Sequence, residues 1–507
     1  LSVLVSVSLV SSAVRVDTTA LLEAVTVDGV RLHQAVFQAI ADANDGTRVS
    51  GSPGYDASAD YVMDEMLAAG YQVSFQTFDF AFFQEISSSF SQTSPAVRDF
   101  VPFDFSDGTG DYDVMTYSGS GIVTDTDVVS TNDVIIPFPP DANTSTSGCE
   151  PEDFLDSGGV SLVDGKVALI QRGTCTFRLK AENAEAAGAV AALIFNEGQA
   201  DLGRDGVVLG TLGGPGINIP VIGISYSLGV EFFDDSNPLV SLDVETISEI
   251  RTTSNIIAET PGGRDDRVVV VGAHLDSVEQ GPGIQDNGSG AAAILEIALQ
   301  MSELGIEPRN KVRFAWWGAE ESGLVGAQFY VDNLSKRDIK NIALNLNFDM
   351  IGSPNFVRFV YDGDGSETPL AGPNGSKNIE SVFLNYFAEK ALATEPTAFD
   401  GRSDYGPFIA VGIPAGGLFT GAEGIKSPEE AAIYGGTAGD AYDPCYHLAC
   451  DTFDNISLEA LDQNSDAAAH VTMTFAMTTS SVNGTDKGKG LGKWEDGMEF
   501  SGSRLKK

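Results

Sequence analysis

Residues 267–278, RVVVVGAHLDSV, indicate the fold class most clearly, because four consecutive valines there are followed by a histidine and an aspartate. A short apolar run of β-branched residues is typical of a strand buried on both faces, as in a parallel sheet. In open α/β sheets, ligands bind at the carboxyl ends of the strands. His274 and Asp276 follow the apolar run and are two residues apart, so they lie on the same side if the strand continues. Both are candidate site residues.

Three further segments place acidic residues at similar positions. Residues 311–330, KVRFAWWGAEESGLVGAQFY, deliver Glu320 and Glu321 after an apolar strand, and residues 345–352, NLNFDMIG, deliver Asp349. Residues 281–300, GPGIQDNGSGAAAILEIALQ, carry Asp286 in a glycine-rich turn that opens into a long helix. Neighbouring carboxylates repel each other unless a cation neutralises one of them or both stay solvated. A cation site and a solvated acidic pair are therefore both open for the two glutamates.

A histidine inside a short cysteine loop completes the candidate site. His447 lies in CYHLAC, residues 445–450, where the two cysteines are close enough to close one rigid loop. Two of the four histidines and at least three carboxylates thus stand at strand ends or in turns. Neutral imidazole with carboxylate suits zinc, whereas an all-oxygen set suits magnesium or calcium. His33 and His470 fall in helical patterns and are interpreted as structural.

Length and pattern indicate more than one domain. A chain of 507 residues with 42% hydrophobic content is larger than one core usually organises. From residue 255 the pattern is that of an α/β domain with buried parallel strands, while residues 119–244 read as a mostly β module with one helix. We expect a partial signal peptide at 1–16, catalytic parts at 17–115 and 251–480, an inserted module at 116–250 and a disordered tail at 481–507.

Charge and cysteine content bear on partners and location. A formal charge of −43 argues against nucleic acid and anionic membranes as partners, because phosphate would be repelled. No later stretch reaches the ~18 apolar residues of a membrane anchor. Export is expected from the apolar start and from four cysteines, with Cys149 able to pair with Cys175 and Cys445 with Cys450. Sequence alone allows three pairings, and a zinc site made of cysteines is the alternative.

The ordered motifs carry a family resemblance. GAHLDSV, GIQDNGSGAAA, WWGAEESGLVGAQFY, NFDMIG, GRSDYGPF, GGLFTGAE and CYHLACDTFDNI resemble the secreted di-zinc aminopeptidases of the leucine aminopeptidase and aminopeptidase Y type. KVALIQRGTCTFRLKAENAEAAGAVAALIFNEG resembles a protease-associated domain. The resemblance implies an α/β fold of the zinc-exopeptidase type, with a mixed, mostly parallel central sheet flanked by helices and an inserted β-rich protease-associated domain.

The resemblance also implies two zinc ions. One is held by His274 and Asp349, the other by Glu321 and His447, and Asp286 bridges both. Substrates are then peptides with a free N-terminus, and relatives of this type favour large apolar first residues. The expected location is secreted or extracellular, with a vacuole or lysosome as the alternative.

Further roles follow from the same motifs. Glu320 is implied as general base, Tyr446 as a hydrogen-bond donor to the oxyanion, and Arg402 and Phe419 as lining of the substrate pocket. Asp276 is expected to accept a hydrogen bond from the second ring nitrogen of the ligating histidine.

A calcium site and other activities remain as alternatives. Asp462 and Asp466 match positions where some relatives bind calcium, although partner ligands near the N-terminus are not evident. A carboxypeptidase or a glutaminyl cyclase on the same scaffold, and a receptor-like relative without catalysis, are the alternatives. A carboxypeptidase needs a basic cluster for the terminal carboxylate, and Arg402 is the obvious candidate near these motifs.

Overall fold

The computed structural model describes residues 16–104, 108–235 and 238–483. The expected signal peptide therefore lies outside the described residues, apart from Val16, and so does the expected tail from residue 484 onward. The first three residues assigned to that tail belong instead to a short helix, Ser480–Asn483. No described helix has the length and apolar character needed to cross a membrane.

Fourteen strands are present in the described residues. They are β1 Gln72–Ser94, β2 Arg98–Asp99, β3 Tyr112–Val114, β4 Gly121–Ser130, β5 Val167–Gln171, β6 Ala191–Phe195, β7 Val221–Ile224, β8 Leu239–Glu259, β9 Arg264–His274, β10 Asn310–Trp317, β11 Ile342–Phe348, β12 Phe359–Tyr361, β13 Glu395–Thr397 and β14 Ala415–Phe419.

The same residues form thirteen α-helices. They are α1 Thr19–Ala24, α2 Val27–Asp42, α3 Pro53–Ala68, α4 Phe177–Ala186, α5 Tyr226–Asp234, α6 Gly288–Glu303, α7 Val325–Asp332, α8 Lys336–Asn341, α9 Ser376–Glu389, α10 Tyr405–Ala410, α11 Pro428–Tyr434, α12 Leu458–Met477 and α13 Ser480–Asn483.

The described chain divides into two compact units, residues 16–78 with 252–483, and residues 79–251. Residues 79–115, which we expected in the catalytic part, therefore belong to the second unit. The physical reason is that β1 is one continuous strand from Gln72 to Ser94, and its larger part, from residue 79 onward, belongs to the second unit. Sequence periodicity cannot show where a continuous strand passes from one core to another.

The first unit is built on a mostly parallel sheet. Its strands lie in the order β13, β12, β14, β11, β9, β10, β8. β9 is parallel to both β10 and β11, β11 is parallel to β14, and β12 and β8 join antiparallel to β14 and β10. One apolar core collects residues of α2, α3, α6, α9 and α12, and a second collects residues of α7 and α10. This confirms the predicted mixed, mostly parallel sheet flanked by helices.

Helix α6 lies close to strand β11 because of a glycine. A Cβ atom at Gly290 would lie 2.1 Å from the backbone oxygen of Phe348. The Asn287 side chain begins the helix by accepting the Gly290 N–H at 2.9 Å. The turn carrying Asp286 is thereby fixed against the end of β11, which brings it beside Asp349.

In the second unit the strands lie in the order β8, β4, β5, β6, β7, β3. β4 to β7 are mutually parallel, whereas β8 and β3 are antiparallel to their neighbours. The predicted sequence of strand, loop, helix and strand is confirmed by β5, α4 and β6. The sequence pattern predicts one helix here, and α5 is a second one.

Two disulfides are present. Cys149 is bonded to Cys175, and Cys445 to Cys450, so the pairing that joins near neighbours is confirmed. All four cysteines are used, which excludes the alternative of a cysteine zinc site.

Candidate metal centre

Three neighbouring parallel strands end at the candidate site. His274 is the last residue of β9, Glu320 and Glu321 follow the end of β10, and Asp349 follows the last residue of β11. Because β9 pairs with both neighbours in parallel, the three carboxyl ends meet at one edge of the sheet. The side chains predicted from the ends of buried strands are therefore brought together.

Asp286 lies at the centre of this group. Its Oδ1 is 3.1 Å from Nε2 of His274, and its Oδ2 is 3.1 Å from Nε2 of His447. Nε2 of His274 is also 3.2 Å from Oδ1 of Asp349, and Nε2 of His447 is 3.2 Å from Oε2 of Glu321. One carboxylate thus faces two separate groups of imidazole and carboxylate, which is the geometry of a bridging ligand.

Each group has the composition and spacing of a metal site. The potential ligand atoms of His274, Asp286 and Asp349 lie within 4.8 Å of one another, as do those of Asp286, Glu321 and His447. Imidazole nitrogen with carboxylate oxygen is a donor set that zinc prefers. Oδ1 of Asp349 is buried without a hydrogen-bond partner among the described residues, as a ligand atom aimed at a cation would be. The residues present therefore fit two divalent ions sharing one aspartate.

The electrostatics of the site favour cations as well. Burial alone lowers the pKa of His274, but the charges of Asp349 and Glu320 outweigh it and raise the pKa well above its ordinary value. Burial likewise opposes the shift at His447, where Glu321 and Asp286 raise the pKa to about 10. Buried negative charge of this density is costly unless it is paired. Divalent ions would supply that pairing.

Glu320 lies beside His274. Its Oε2 is 3.9 Å from Nε2 of His274. Its pKa is raised well above the ordinary value, chiefly by burial and further by the charges of Glu321, Asp404 and Asp349, while His274 opposes the shift. The side chain is thus buried among the residues of the candidate site.

Asp276 faces the second ring nitrogen of His274 with both its backbone oxygen and its carboxylate. Nδ1 of His274 is 3.1 Å from the backbone oxygen of Asp276 and 3.6 Å from the carboxylate. The Asp276 carboxylate accepts the backbone N–H groups of Glu320 and Glu321 at 3.2 and 3.4 Å. It therefore orients the pair of glutamates.

The residues expected in the pocket line one cavity with the metal-site carboxylates. Arg402, Phe419 and Tyr446 share this cavity with Asp286, Glu320 and Asp349. The ring of Tyr446 stacks on His447, with 3.9 Å between ring centroids. Met350 and Tyr361 add apolar wall.

Asp462 and Asp466 lie apart from this centre, on α12. They belong to no group of three histidine, cysteine or acidic side chains with metal-binding spacing among the described residues. Asp466 is 3.4 Å from the hydroxyl of Tyr386. The calcium site stays a prediction.

Several buried residues that carry no predicted role contact the candidate ligands. Ser403 donates to Oδ2 of Asp349 at 2.5 Å. Asp451 accepts the backbone N–H groups of Gln285 and Asp286 at 2.8 and 3.0 Å. Ser403 lies inside the motif GRSDYGPF, and Asp451 directly follows CYHLAC. Proximity to these motifs is the sequence feature that could have identified both residues.

Two other supports cross between distant segments. Asn287 donates to the backbone oxygen of Phe348 at 2.9 Å and accepts the N–H of Met350 at 3.2 Å, so it brackets Asp349. Arg48, which is fully buried, donates to the backbone oxygens of Pro282 and Gly283 at 2.9 and 2.6 Å. No local sequence pattern indicates these contacts.

Comparisons with known proteins identify relatives of this chain. Residues 255–472 match the description Peptidase family M28, and residues 131–232 match the PA domain. An aminopeptidase of Pseudomonas aeruginosa is 47% identical over 447 residues, which cover 88% of this chain and 80% of that protein. A probable lipoprotein aminopeptidase of Mycobacterium tuberculosis is 40% identical, with 92% of this chain and 88% of that protein covered.

A solved structure shows the same fold. The aminopeptidase from Aneurinibacillus sp. strain AM-1 superposes with a TM-score of 0.63 at 24% identity, covering 90% of this chain and 95% of that one. Identity of 47% across most of the Pseudomonas protein exceeds what fold similarity alone produces. This chain belongs to peptidase family M28 and carries an inserted PA domain.

Proposed function

We propose that this chain is an aminopeptidase that binds two zinc ions and hydrolyses the first peptide bond of peptides with a free N-terminus. The observation that carries the proposal is the position of Asp286, whose two oxygens each lie 3.1 Å from a different histidine. His274 and Asp349 would hold one ion, and Glu321 and His447 the other. Zinc bound there would lower the pKa of a water molecule and polarise the scissile carbonyl.

Glu320 is proposed as the general base. It is buried beside the ligands, and the Asp276 carboxylate fixes its backbone N–H at 3.2 Å. From this place its carboxylate can take a proton from the attacking water and return it to the leaving amine. Glu321 lies against His447 at 3.2 Å and suits the role of ligand, so the adjacent glutamates divide the two tasks.

Tyr446 and the acidic residues are proposed to orient the substrate. Tyr446 lines the cavity, and its hydroxyl would donate a hydrogen bond to the oxyanion. The carboxylates of Glu320 and Asp349 would pair with the free ammonium group. The walls formed by Met350, Tyr361 and Phe419 support a preference for large apolar first residues.

The experiment is hydrolysis of aryl amides of leucine, lysine, glutamate and acetyl-leucine, with and without prolonged chelation. We expect the leucine amide to be cleaved fastest and the acetylated amide not at all, with activity lost on chelation and restored by zinc. Equal cleavage of the acetylated substrate contradicts an aminopeptidase, and indifference to chelation contradicts metal-dependent hydrolysis.

A Glu320→Gln variant tests the base separately. The amide has nearly the same shape as the carboxylate but cannot accept the proton. We expect two bound metal ions as in the parent and a kcat lower by about a hundredfold or more. Parent-like kcat with full metal content would rule out Glu320 as the base.

Export is proposed as the location. Two disulfides, one in each unit, suit an oxidising compartment. The expected signal peptide is compatible with it, and so are the glycosylation sequons at Asn143, Asn333, Asn374, Asn455 and Asn483, of which the first three have exposed side chains. Fractionation of the cells that make the protein, with the activity found outside the cytoplasm, is the test.

A further inference from the structure

Arg402 makes a set of contacts that the role of pocket lining does not require. Its guanidinium donates from Nη1 and Nη2 to the two carboxylate oxygens of Glu423, at 2.7 and 3.2 Å. The same Nη2 also donates to the hydroxyl oxygen of Tyr446 at 3.1 Å. Three side chains from separate segments therefore form one chain of hydrogen bonds that ends on the proposed oxyanion donor.

We infer that Glu423 is a positioning residue that holds the guanidinium of Arg402. The Arg402 Nη2–H then stays on the hydroxyl oxygen of Tyr446, and the proton of the tyrosine hydroxyl points into the cavity. The inference rests on the proposed role of Tyr446. A carboxylate that grips a planar guanidinium with two parallel hydrogen bonds fixes both the distance and the plane of the group. A single contact would leave the long arginine side chain free to rotate.

The contact with Arg402 has two effects on Tyr446. An N–H on the phenol oxygen occupies one lone pair, which restricts the directions open to the hydroxyl proton. It also polarises the O–H bond, because linked hydrogen bonds strengthen one another. Both effects favour donation to the charge that develops on the scissile carbonyl oxygen.

Stability does not account for this arrangement. The Glu423 side chain is 57% exposed and that of Arg402 is 23% exposed. Ion pairs on the surface contribute about 0–1 kcal/mol. Loss of the pair should therefore leave the fold intact, which separates a positioning role from a structural one.

The test compares Glu423→Gln, Tyr446→Phe and the double variant, with Glu182→Gln as matched control. Glu182 pairs with Arg178 at 2.8 Å in the second unit, with similar exposure. Steady-state kinetics on a leucine aryl amide and the melting temperature are measured for each.

We expect Glu423→Gln to lower kcat about tenfold, with KM changed less than twofold and the melting temperature unchanged. Tyr446→Phe should lower kcat about a hundredfold, and adding Glu423→Gln to it should cost nothing further, because residues that act as a unit are not additive. The control should match the parent.

Three results overturn the inference while Tyr446→Phe remains slow. The first is a parent-like kcat for Glu423→Gln, and the second is a change in the KM of Glu423→Gln without a change in its kcat. The third is that Glu423→Gln lowers kcat by the same factor in the Tyr446→Phe background as in the parent. A parent-like kcat for Tyr446→Phe instead overturns the proposed role of the tyrosine. Failure of the proposed function and failure of this inference are thus distinguished.

Discussion

Removal of the Ser403 hydroxyl should weaken metal binding on one side of the centre. Ser403 is 3% exposed, donates to Oδ2 of Asp349 at 2.5 Å and accepts from Nδ2 of Asn347 at 2.8 Å. Ser403→Ala deletes one oxygen and creates no clash. Asp349 then keeps Oδ1 near His274 but loses the contact that fixes the rest of its carboxylate.

The size of the effect follows from the charge on Asp349. A hydrogen bond to a charged group contributes about 1.5–3 kcal/mol. Each factor of ten in affinity corresponds to about 1.4 kcal/mol. We therefore expect about tenfold to a hundredfold weaker binding of the ion held by His274 and Asp349, the range usual for residues that support metal ligands. The ion held by Glu321 and His447 should be affected less.

The assay is equilibrium dialysis against buffers of fixed free zinc, followed by metal counting and kinetics. Ser403→Ala should hold one ion per chain where the parent holds two, and regain activity at higher zinc. Ser465→Ala is the control, since this buried hydroxyl has no hydrogen-bond partner among the described residues. Parent-like zinc dependence of Ser403→Ala would refute the reasoning.

Three further perturbations address the calcium site, the cysteine loop and the packing of α6. Burial, and then the charge of Asp462, raise the pKa of Asp466 to about 6, so this carboxyl supports folding when protonated, and that contribution is lost as the pH rises from about 4 through 6. The loss is about 1 kcal/mol after allowance for partial exposure, and Asp466→Asn should remove it. Calcium bound by the parent should also offset it. If the melting temperatures of parent and variant change in parallel from pH 4 to 7, the prediction is contradicted. The double substitution Cys445→Ser and Cys450→Ser should lower the unfolding free energy by about 2 kcal/mol, as measured by denaturant unfolding. Metal counting should show the loss of one zinc ion. Full retention of zinc would contradict the idea that the closed loop positions His447. Gly290→Ala, whose Cβ would lie 2.1 Å from the Phe348 oxygen, should cost about 2 kcal/mol or more in denaturant unfolding, whereas an unchanged midpoint would mean that α6 shifts freely.

The sequence predicts the strand ends that deliver His274, Glu320 and Asp349 because fully buried parallel strands are largely apolar runs. For His274 and Glu320 the first polar residue after the run marks the carboxyl end of the strand, whereas β11 also carries the buried Asn345 and Asn347 before Asp349. The position of Asp286 is also predictable, since a glycine-rich turn before a long apolar helix is a helix start. Topology then brings these residues together without further information.

The contacts that orient the ligands are not predictable in the same way. Ser403 lies 54 residues from Asp349, and Arg48 lies 227 residues or more from the loop whose carbonyls it caps. Such contacts form only when the complete fold brings distant loops together. Neither the periodicity of hydrophobic residues nor the composition of turns predicts them. The same limit applies to the bond between Arg402 and Glu423, since the sequence gives Arg402 two nearer acidic residues, Asp400 and Asp404.

The backbone of the ligand segments explains why so many supports converge there. Ala319 before Glu320, Met350 after Asp349, and His447 itself have φ values of 53°, 53° and 56°. Non-glycine residues avoid this left-handed region, and holding one there costs on the order of 1 kcal/mol or more. The N–H of Ala319 bonds Ser50 at 2.6 Å, that of Met350 bonds Asn287 at 3.2 Å, and the disulfide closes the loop around His447.

Two of these strained turns are therefore held by a hydrogen bond to another segment, and the turn at His447 is held by the disulfide that closes its own loop. The chain would relax these turns if the contacts were removed, and the ligands would then separate. The spacing of the two metal groups is accordingly a property of the folded unit and not of its separate motifs, so substitutions at Ser50 or Asn287 should alter metal binding although neither side chain is a ligand.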